Sequence, residues 1–424
     1  MKVAILAPEL LVEGGGGRQA LYLARELQEM GHEVAVYTPT YDRERCYPDI
    51  CSSLKVVVTG KHPLSRLPLR SGRLKAYFNM RRLARKLPKG LDIINPHHWP
   101  PHWSAVWAAR RIRPRPAVVW MCNDPPWPPA TRCKGVRRVF SPLRCLSRRV
   151  FLAFDREQVD EVSKIVVLSE YAKGLIDATY GNDSAVVRSG VDVSALQVDD
   201  PSRVQAVRER YGIPFDTFLL LSLGILMPHR RIEDALEAVA TAAEVGRDLR
   251  FLVVGTPEQY PEYAASLRRM VRNLRIEDHV IFAGAVPEGE LKYYYHACDA
   301  FVFPNENQTW SLATTEAMAC SRPVIVSTGA AVKEVLTNGV NALLVPPRRP
   351  DLMAEKLVDL IDSPERRREL AENGYRFIVE TLSWRRYAES MVDVFEESIR
   401  SLRAAEDEAM GRQPAKHGEF PAHS

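Results

Sequence analysis

Short apolar runs alternate with helical patterns along most of the chain, and the alternation occurs twice. Residues 2–7 predict a strand, 18–30 a helix with Leu21, Leu23, Ala24 and Leu27 on one side, and 33–37 the next strand. Further strand patterns fall at 55–58, 92–95, 117–121 and 164–168. From residue 218 the scheme repeats, with strands at 218–223, 249–254, 279–283, 300–303, 324–326 and 342–345. Helices are expected between them at 231–245, 260–274, 288–297, 312–320 and 351–361. Strands separated by helices pair in parallel and are covered on both faces. The expected fold class is α/β, with two doubly wound parallel sheets and ligands held at the carboxyl ends of their strands. The predicted division is 1–195 and 196–382, joined near 193–203, then a long amphipathic helix over 383–402 and a disordered polar tail over 403–424.

The composition, 46% hydrophobic and 26% charged, is that of an ordinary globular protein, and 424 residues suit two or three domains. Seven scattered cysteines show no paired spacing, which argues against a disulfide framework and for a reducing, cytoplasmic setting. The N-terminal MKVAILAPEL breaks at Pro8-Glu9 and reads as a first strand rather than a signal peptide. No run approaches the roughly 20 apolar residues that span a bilayer. Charge is lopsided: between Asp49 and Asp155 the only acids are Asp92 and Asp124, against 22 lysines and arginines. Apolar residues interleave with that charge in RLPLRSGRLKAYFNMRRLARKL and VRRVFSPLRCLSRRVFLAF, a pattern suited to an interfacial helix on an anionic membrane surface. A solvated basic face is the plainer alternative. Stacking platforms for nucleic acid are not evident.

The stretch PNENQTWSLATTEAMACSRP, from Pro304 to Pro323, carries the chemistry most directly. A polar loop with Asn305, Asn307 and Gln308 leads into a helix start, where Ser311 and Leu312 offer N–H groups to an anion. Glu316, a few residues on, accepts hydrogen bonds only, so it suits hydroxyls on whatever carries that anion. Phosphate and diol together point to a nucleotide. In LGILMPHRRIED, Arg230 and Arg231 could clamp a diphosphate or be solvated cations at a helix start. Gly14 to Gly17 form either a flexible turn or a cradle of backbone amides for an oxyanion. In NPHHWPPH, His97, His98 and His102 sit at a strand end without a carboxylate or Cys cluster, so no metal site is expected.

These residues resemble the retaining glycosyltransferases of family 4, whose signature is two glutamates separated by seven residues, with Phe-Gly after the first and Ala-Met-Ala after the second. Glu316-Ala317-Met318-Ala319 matches the second. Gln308 stands at the first glutamate, with Trp310-Ser311 for Phe-Gly. Gly31-His32-Glu33-Val34, Ser169-Glu170-Tyr171, Gly190-Val191-Asp192, Asn338-Gly339 and Val345-Pro346-Pro347 match other landmarks. The resemblance implies the GT-B fold, two Rossmann-like domains facing across a cleft, the last helix crossing back to the first domain. It implies a hexosyltransferase-like enzyme that moves a sugar with retention from a nucleotide sugar, UDP- or GDP-linked, to a glycan or lipid-linked acceptor at the inner membrane face. No cofactor and no metal are implied.

Residue by residue, the resemblance puts Glu316 on the ribose diol, and Ser311, Leu312 and Arg230 on the diphosphate, with Arg231 a possible replacement for an Arg whose place Ile225 takes. Gly14, Gly15, the Gly255 loop and the backbone near Val286 fall on the donor side, and His97 or His98 near the acceptor. Asn123 stands where many members carry a His close to the sugar. Gln308 keeps a contact to the sugar without the charge, which Glu306, two residues away, could restore. The reading from another class is a GT-B accessory protein that binds a nucleotide sugar without turnover, and Gln308, Ile225 and Asn123 support it.

Overall fold

The structure is a computed structural model that describes residues 1–11, 15–66, 72–125 and 142–411. The chain divides into two compact units. The first comprises 1–167, 173–187 and 388–424, and the second 168–172 and 188–387.

In the first unit the elements run β1 (Lys2–Leu6), α1 (Gly15–Glu29), β2 (Glu33–Thr38), α2 (Pro48–Cys51), β3 (Val56–Val58), α3 (Gly72–Lys86) and β4 (Ile93–Pro96). Then follow α4 (Pro101–Ala109), β5 (Ala117–Met121), α5 (Pro142–Val159), β6 (Lys164–Val167), α6 (Glu170–Tyr180, of which 170–172 belong to the second unit) and β7 (Ser184–Val186). The strands form one parallel sheet in the order β3-β2-β1-β4-β5-β6-β7, with Val3 opposite Val34 and Ile93. The winding reverses between β1 and β4, so their carboxyl ends flank a crevice, the usual ligand position in such a sheet. One core, on Leu6, Leu83, Ile94, Trp103 and Val106, fills one face.

The second unit holds α7 (Pro201–Arg210), β8 (Phe218–Leu223), α8 (Ile232–Glu244), β9 (Leu249–Val254), α9 (Pro261–Leu274), β10 (Val280–Gly284) and α10 (Glu288–Ala297). It continues with β11 (Ala300–Phe303), α11 (Leu312–Ala319), β12 (Val324–Ser327), β13 (Leu343–Val345), α12 (Pro350–Asp362) and α13 (Pro364–Thr381). Its parallel sheet has the order β10-β9-β8-β11-β12-β13, and here the reversal lies between β8 and β11. Strands such as FLLLSL are buried along almost their whole length, as a sheet covered on both faces requires. The expected pair of doubly wound sheets is the observed architecture.

Several local expectations are corrected. Gly15–Gly17 are the first turn of α1, not a loop, and Gly14 lies outside the described residues. Residues 188–195 belong to the second unit. Val191 N–H donates to Leu382 O at 2.9 Å, and Gly190 packs so closely that a Cβ there would sit 2.2 Å from Ser383 C. The final helix, α14 (Trp384–Ala409), continues through 403–409, read above as tail. Arg, Ala and Glu there favour helix, and the first breaker is Gly411, at φ 68°. Residues 412–424 lie outside the described residues.

The stripe of α3 expected to lie on lipid faces inward. Met80, Leu83 and Ala84 are buried and join the core, with Ala76 and Tyr77 packed against it, while Arg73, Arg81, Arg85 and Lys86 stay exposed. The second basic stretch spans 136–154: residues 136–141 lie outside the described residues, and 142–154 fall on α5, where Phe151 and Phe154 pack against the same core.

Candidate functional site

In the second unit the side chains gather at the carboxyl ends of β8 to β11. Gly224, at φ 142°, follows β8, and Arg230 lies against it, with its guanidinium carbon 3.0 Å from where a Cβ would stand. The same guanidinium is 5.8 Å from the ring centroid of Phe303, the last residue of β11. Arg230 therefore sits over the point where the sheet reverses. Gly255, after β9, packs on the Gly224 carbonyl, which a Cβ would meet at 1.9 Å, and its N–H donates to Gly284 O at 2.8 Å. Only glycine permits that approach of two backbones. Val286, two residues past β10, is half-buried at the same edge.

Arg231 has a different environment. It occupies the N-cap of α8 in the left-handed region, φ 51°. Nη1 lies 2.7 Å from Glu233 Oε1, and Nε lies 3.3 Å from Asp234 Oδ2. Burial would lower its pKa, but the bond to Asp234 and the nearby Glu233 outweigh that and raise it. The α8 N-terminus is filled as well, since Ile232 N–H donates to Tyr263 Oη at 3.2 Å. This corrects the expected pair of free cations at an open helix start: local carboxylates resolve the misfit of Arg231 beside a positive helix end.

The α11 N-terminus carries no acid in its first turn. Ser311 is the N-cap, and its hydroxyl accepts from Thr314 N–H at 3.1 Å. Leu312, the first helical residue, is half-buried. The loop before it is held by its main chain: Glu306 N–H donates to His229 O, Asn307 N–H to Gly329 O, and Gln308 O accepts from Ala331 N–H at 2.8 Å. Gln308 Oε1 lies 3.5 Å from Asn305 Nδ2, and the side chain is half-buried. Glu306, considered as a substitute charge, is instead paired with Arg348 at 3.0 Å. Glu316 is 4% exposed, and its Oε2 accepts from Tyr295 Oη at 2.8 Å.

The first unit gathers a smaller group at the β1/β4 reversal. His98, in the loop after β4, has φ 60° and presses on α1, where a Cβ on Gly16 would stand 1.7 Å from its Nε2. Asn123 Nδ2 lies 3.3 Å from the same nitrogen, and Asp124 Oδ2 lies 4.0 Å from Nδ1. Burial pushes the His98 pKa down, and Asp124 and the Gly16 backbone push it back up. His97 differs: it is fully buried, its Nε2 meets Asn95 Oδ1 at 2.9 Å, and burial lowers its pKa to about 3. Its assignment to a substrate is corrected, because a side chain with no exposed surface cannot reach one. Gly15 is helical and exposed.

Sequence reasoning missed three residues. Asp155 is a buried hub that accepts from Trp103 Nε1 at 2.7 Å and Tyr180 Oη at 2.6 Å, and lies 3.1 Å from His102 Nε2. It ties down the helix behind the His98 loop. Glu334 accepts from the N–H groups of Glu170 and Tyr171 at 2.9 and 3.0 Å, all three residues lying in the second unit. Tyr295 belongs to a run of three tyrosines on α10, all buried, and nothing in that run signals which one meets Glu316. Among the described residues no group of three or more His, Cys, Asp or Glu is placed to hold a metal ion.

Two doubly wound units, with an anion-ready helix start beside an arginine and a buried carboxylate, define a GT-B architecture. The profile described as Glycosyltransferase Family 4 matches residues 13–195, and that described as Glycosyl transferases group 1 matches 204–377. The chain belongs to glycosyltransferase family 4 and is a glycosyltransferase. It is 26% identical over 417 residues to D-inositol 3-phosphate glycosyltransferase 2 of Catenulispora acidiphila, with 92% of each chain covered. A D-inositol 3-phosphate glycosyltransferase of Kineococcus radiotolerans is 31% identical over 59% of this chain and 61% of its own length. The fold is similar to that of Anabaena HepE, solved in complex with UDP-glucose, at TM-score 0.74 and 16% identity over 94% of this chain and 100% of that one.

Proposed function

We propose that the chain transfers a sugar from a nucleoside-diphosphate donor to a glycan or lipid-linked acceptor with retention of anomeric configuration. The observation that carries this reading is the convergence of Arg230 and the acid-free α11 N-terminus at the β8/β11 reversal, with Glu316 behind them. Arg230 and the N–H groups of α11 bind the diphosphate, and Glu316 receives the ribose hydroxyls. In the reaction the bond from the anomeric carbon to the phosphate oxygen breaks. The acceptor oxygen attacks from the same face, and its proton goes to the departing phosphate. Arg230 offsets the charge that develops on that leaving group. Gln308 orients the sugar as a neutral hydrogen-bonding partner. The names of the relatives make an inositol phosphate a rational first acceptor to try.

Binding without turnover is the second reading, favoured by the neutral Gln308 and by Glu306, whose charge Arg348 already holds. Release of free UDP or GDP separates the two. UDP- and GDP-sugars are each incubated with D-inositol 3-phosphate and with glycolipid extracts as acceptors. Acceptor-dependent release from one donor is expected. A donor that binds in calorimetry yet releases no nucleotide with any acceptor would sink the transferase reading and leave the binder.

A further inference from the structure

Glu316 is a buried carboxylate, and a buried carboxylate whose direction is not fixed discriminates poorly between ligands. Its neighbour fixes that direction. Tyr295 is fully buried on α10, its ring lies 5.9 Å from that of Phe301 in β11, and its hydroxyl donates to Glu316 Oε2 at 2.8 Å. The phenol is rigid, with both its helix and its ring held by the core, so the carboxylate plane is held too. The other two tyrosines of the run do unrelated work. Tyr293 Oη donates to Asp199 at 2.5 Å, and Tyr294 Oη pairs with Tyr211 Oη at 3.1 Å.

We propose that Tyr295 is a positioning residue for nucleotide recognition: its hydroxyl aims the Glu316 carboxylate so that the site selects a ribose over a 2′-deoxyribose. This rests on the reading of Glu316 as the ribose-binding group. A site built to bond a hydroxyl rejects the analogue that lacks it, because its own polar group is then left unpaired. Loss of the phenol hydroxyl leaves the ring packing intact and loosens the carboxylate. Part of that selectivity is then lost.

The test measures affinity for UDP and 2′-deoxy-UDP, and for GDP and 2′-deoxy-GDP, by calorimetry on the full chain. Wild type, Tyr295→Phe, Glu316→Gln and Tyr293→Phe are compared, each with its thermal midpoint. The ribose preference is expected to fall about tenfold in Tyr295→Phe, the size of one hydrogen bond to a charged group, and to vanish in Glu316→Gln. Tyr293→Phe, which loses a structural hydroxyl from the same helix, should keep it. A wild-type preference in Tyr295→Phe, with the preference gone in Glu316→Gln, overturns the role of Tyr295 alone. An unchanged preference in Glu316→Gln overturns the ribose reading and the proposal with it. An equal loss in Tyr293→Phe marks the effect as general loosening of α10 and also overturns it.

Discussion

Arg230 and Arg231 are neighbours in sequence and opposites in surroundings. Arg231 is bound by the first-turn carboxylates of its own helix, whereas Arg230 lies over Gly224 and the end of β11. Their substitutions should therefore separate. Arg230→Ala is expected to weaken binding of the nucleoside diphosphate by about 10- to 100-fold, the loss of charge-assisted hydrogen bonds. Arg231→Ala should leave affinity near wild type but destabilise the fold by about 1–3 kcal/mol, because Asp234, 3% exposed, loses its cationic partner and keeps only the Arg348 N–H at 3.0 Å. Calorimetry and thermal melts on the two variants decide it, and equal losses of affinity would restore the paired clamp. The sequence could not distinguish the two arginines, since both open a helix beside acids. What separates them is the left-handed turn at Arg231, a backbone choice made by packing.

At the scale of elements, α3 shows why a basic amphipathic pattern is ambiguous. The same spacing of apolar residues suits a lipid surface and a sheet. Here Met80 and Leu83 are buried in the core, so any contact of this helix with a membrane rests on charge from Arg81, Arg85 and Lys86. Binding to vesicles containing anionic lipid should accordingly fall as salt rises and weaken by about 1 kcal/mol for each of these residues changed to Glu. Sedimentation with vesicles measures both, and salt-independent binding would remove the proposal. Other elements were legible to different degrees. β8, β9 and β11 lie where their apolar runs put them, because continuous burial leaves a continuous apolar signal. β7, only three residues long, and α13, whose buried set is just Leu370, Ala371, Gly374 and Ile378, have too little apolar pattern to be read.

At the scale of the whole molecule, His97 links stability to pH. Its folded pKa, about 3, lies below the ordinary 6.5, so the unfolded chain binds more protons between those values. Stability is then fully present above pH 6.5 and is lost as pH falls, by up to ~1.4 kcal/mol per pH unit. Asp155 acts in the same direction at lower pH. Burial raises its pKa, but His102, Tyr180 and Trp103 lower it further, so its contribution is lost only as pH drops below the usual carboxylate range. Urea unfolding is followed by tryptophan fluorescence, with Trp103 and Trp120 buried in the first unit and Trp310 and Trp384 buried in the second. The midpoint should fall from pH 7 to 4.5 in wild type and fall less in His97→Gln. Parallel curves would mean that His97 is not the group responsible.

The order of residues alone carries the class of fold, the family, and the segments that hold the site. Parallel strands, helix starts and the spacing around Glu316 are local properties, written in the order of apolar and polar residues. Tertiary structure decided which members of those segments are available to a ligand. His97 and His98 are adjacent in the chain, yet the left-handed turn at His98 leaves its ring against Gly16 while its neighbour has no exposed surface. Tyr295 and Glu316 are 21 residues apart and meet only in the folded chain, where the hydroxyl on α10 reaches the carboxylate on α11. Such choices depend on burial and on partners distant in sequence, and a single strand or helix pattern carries neither.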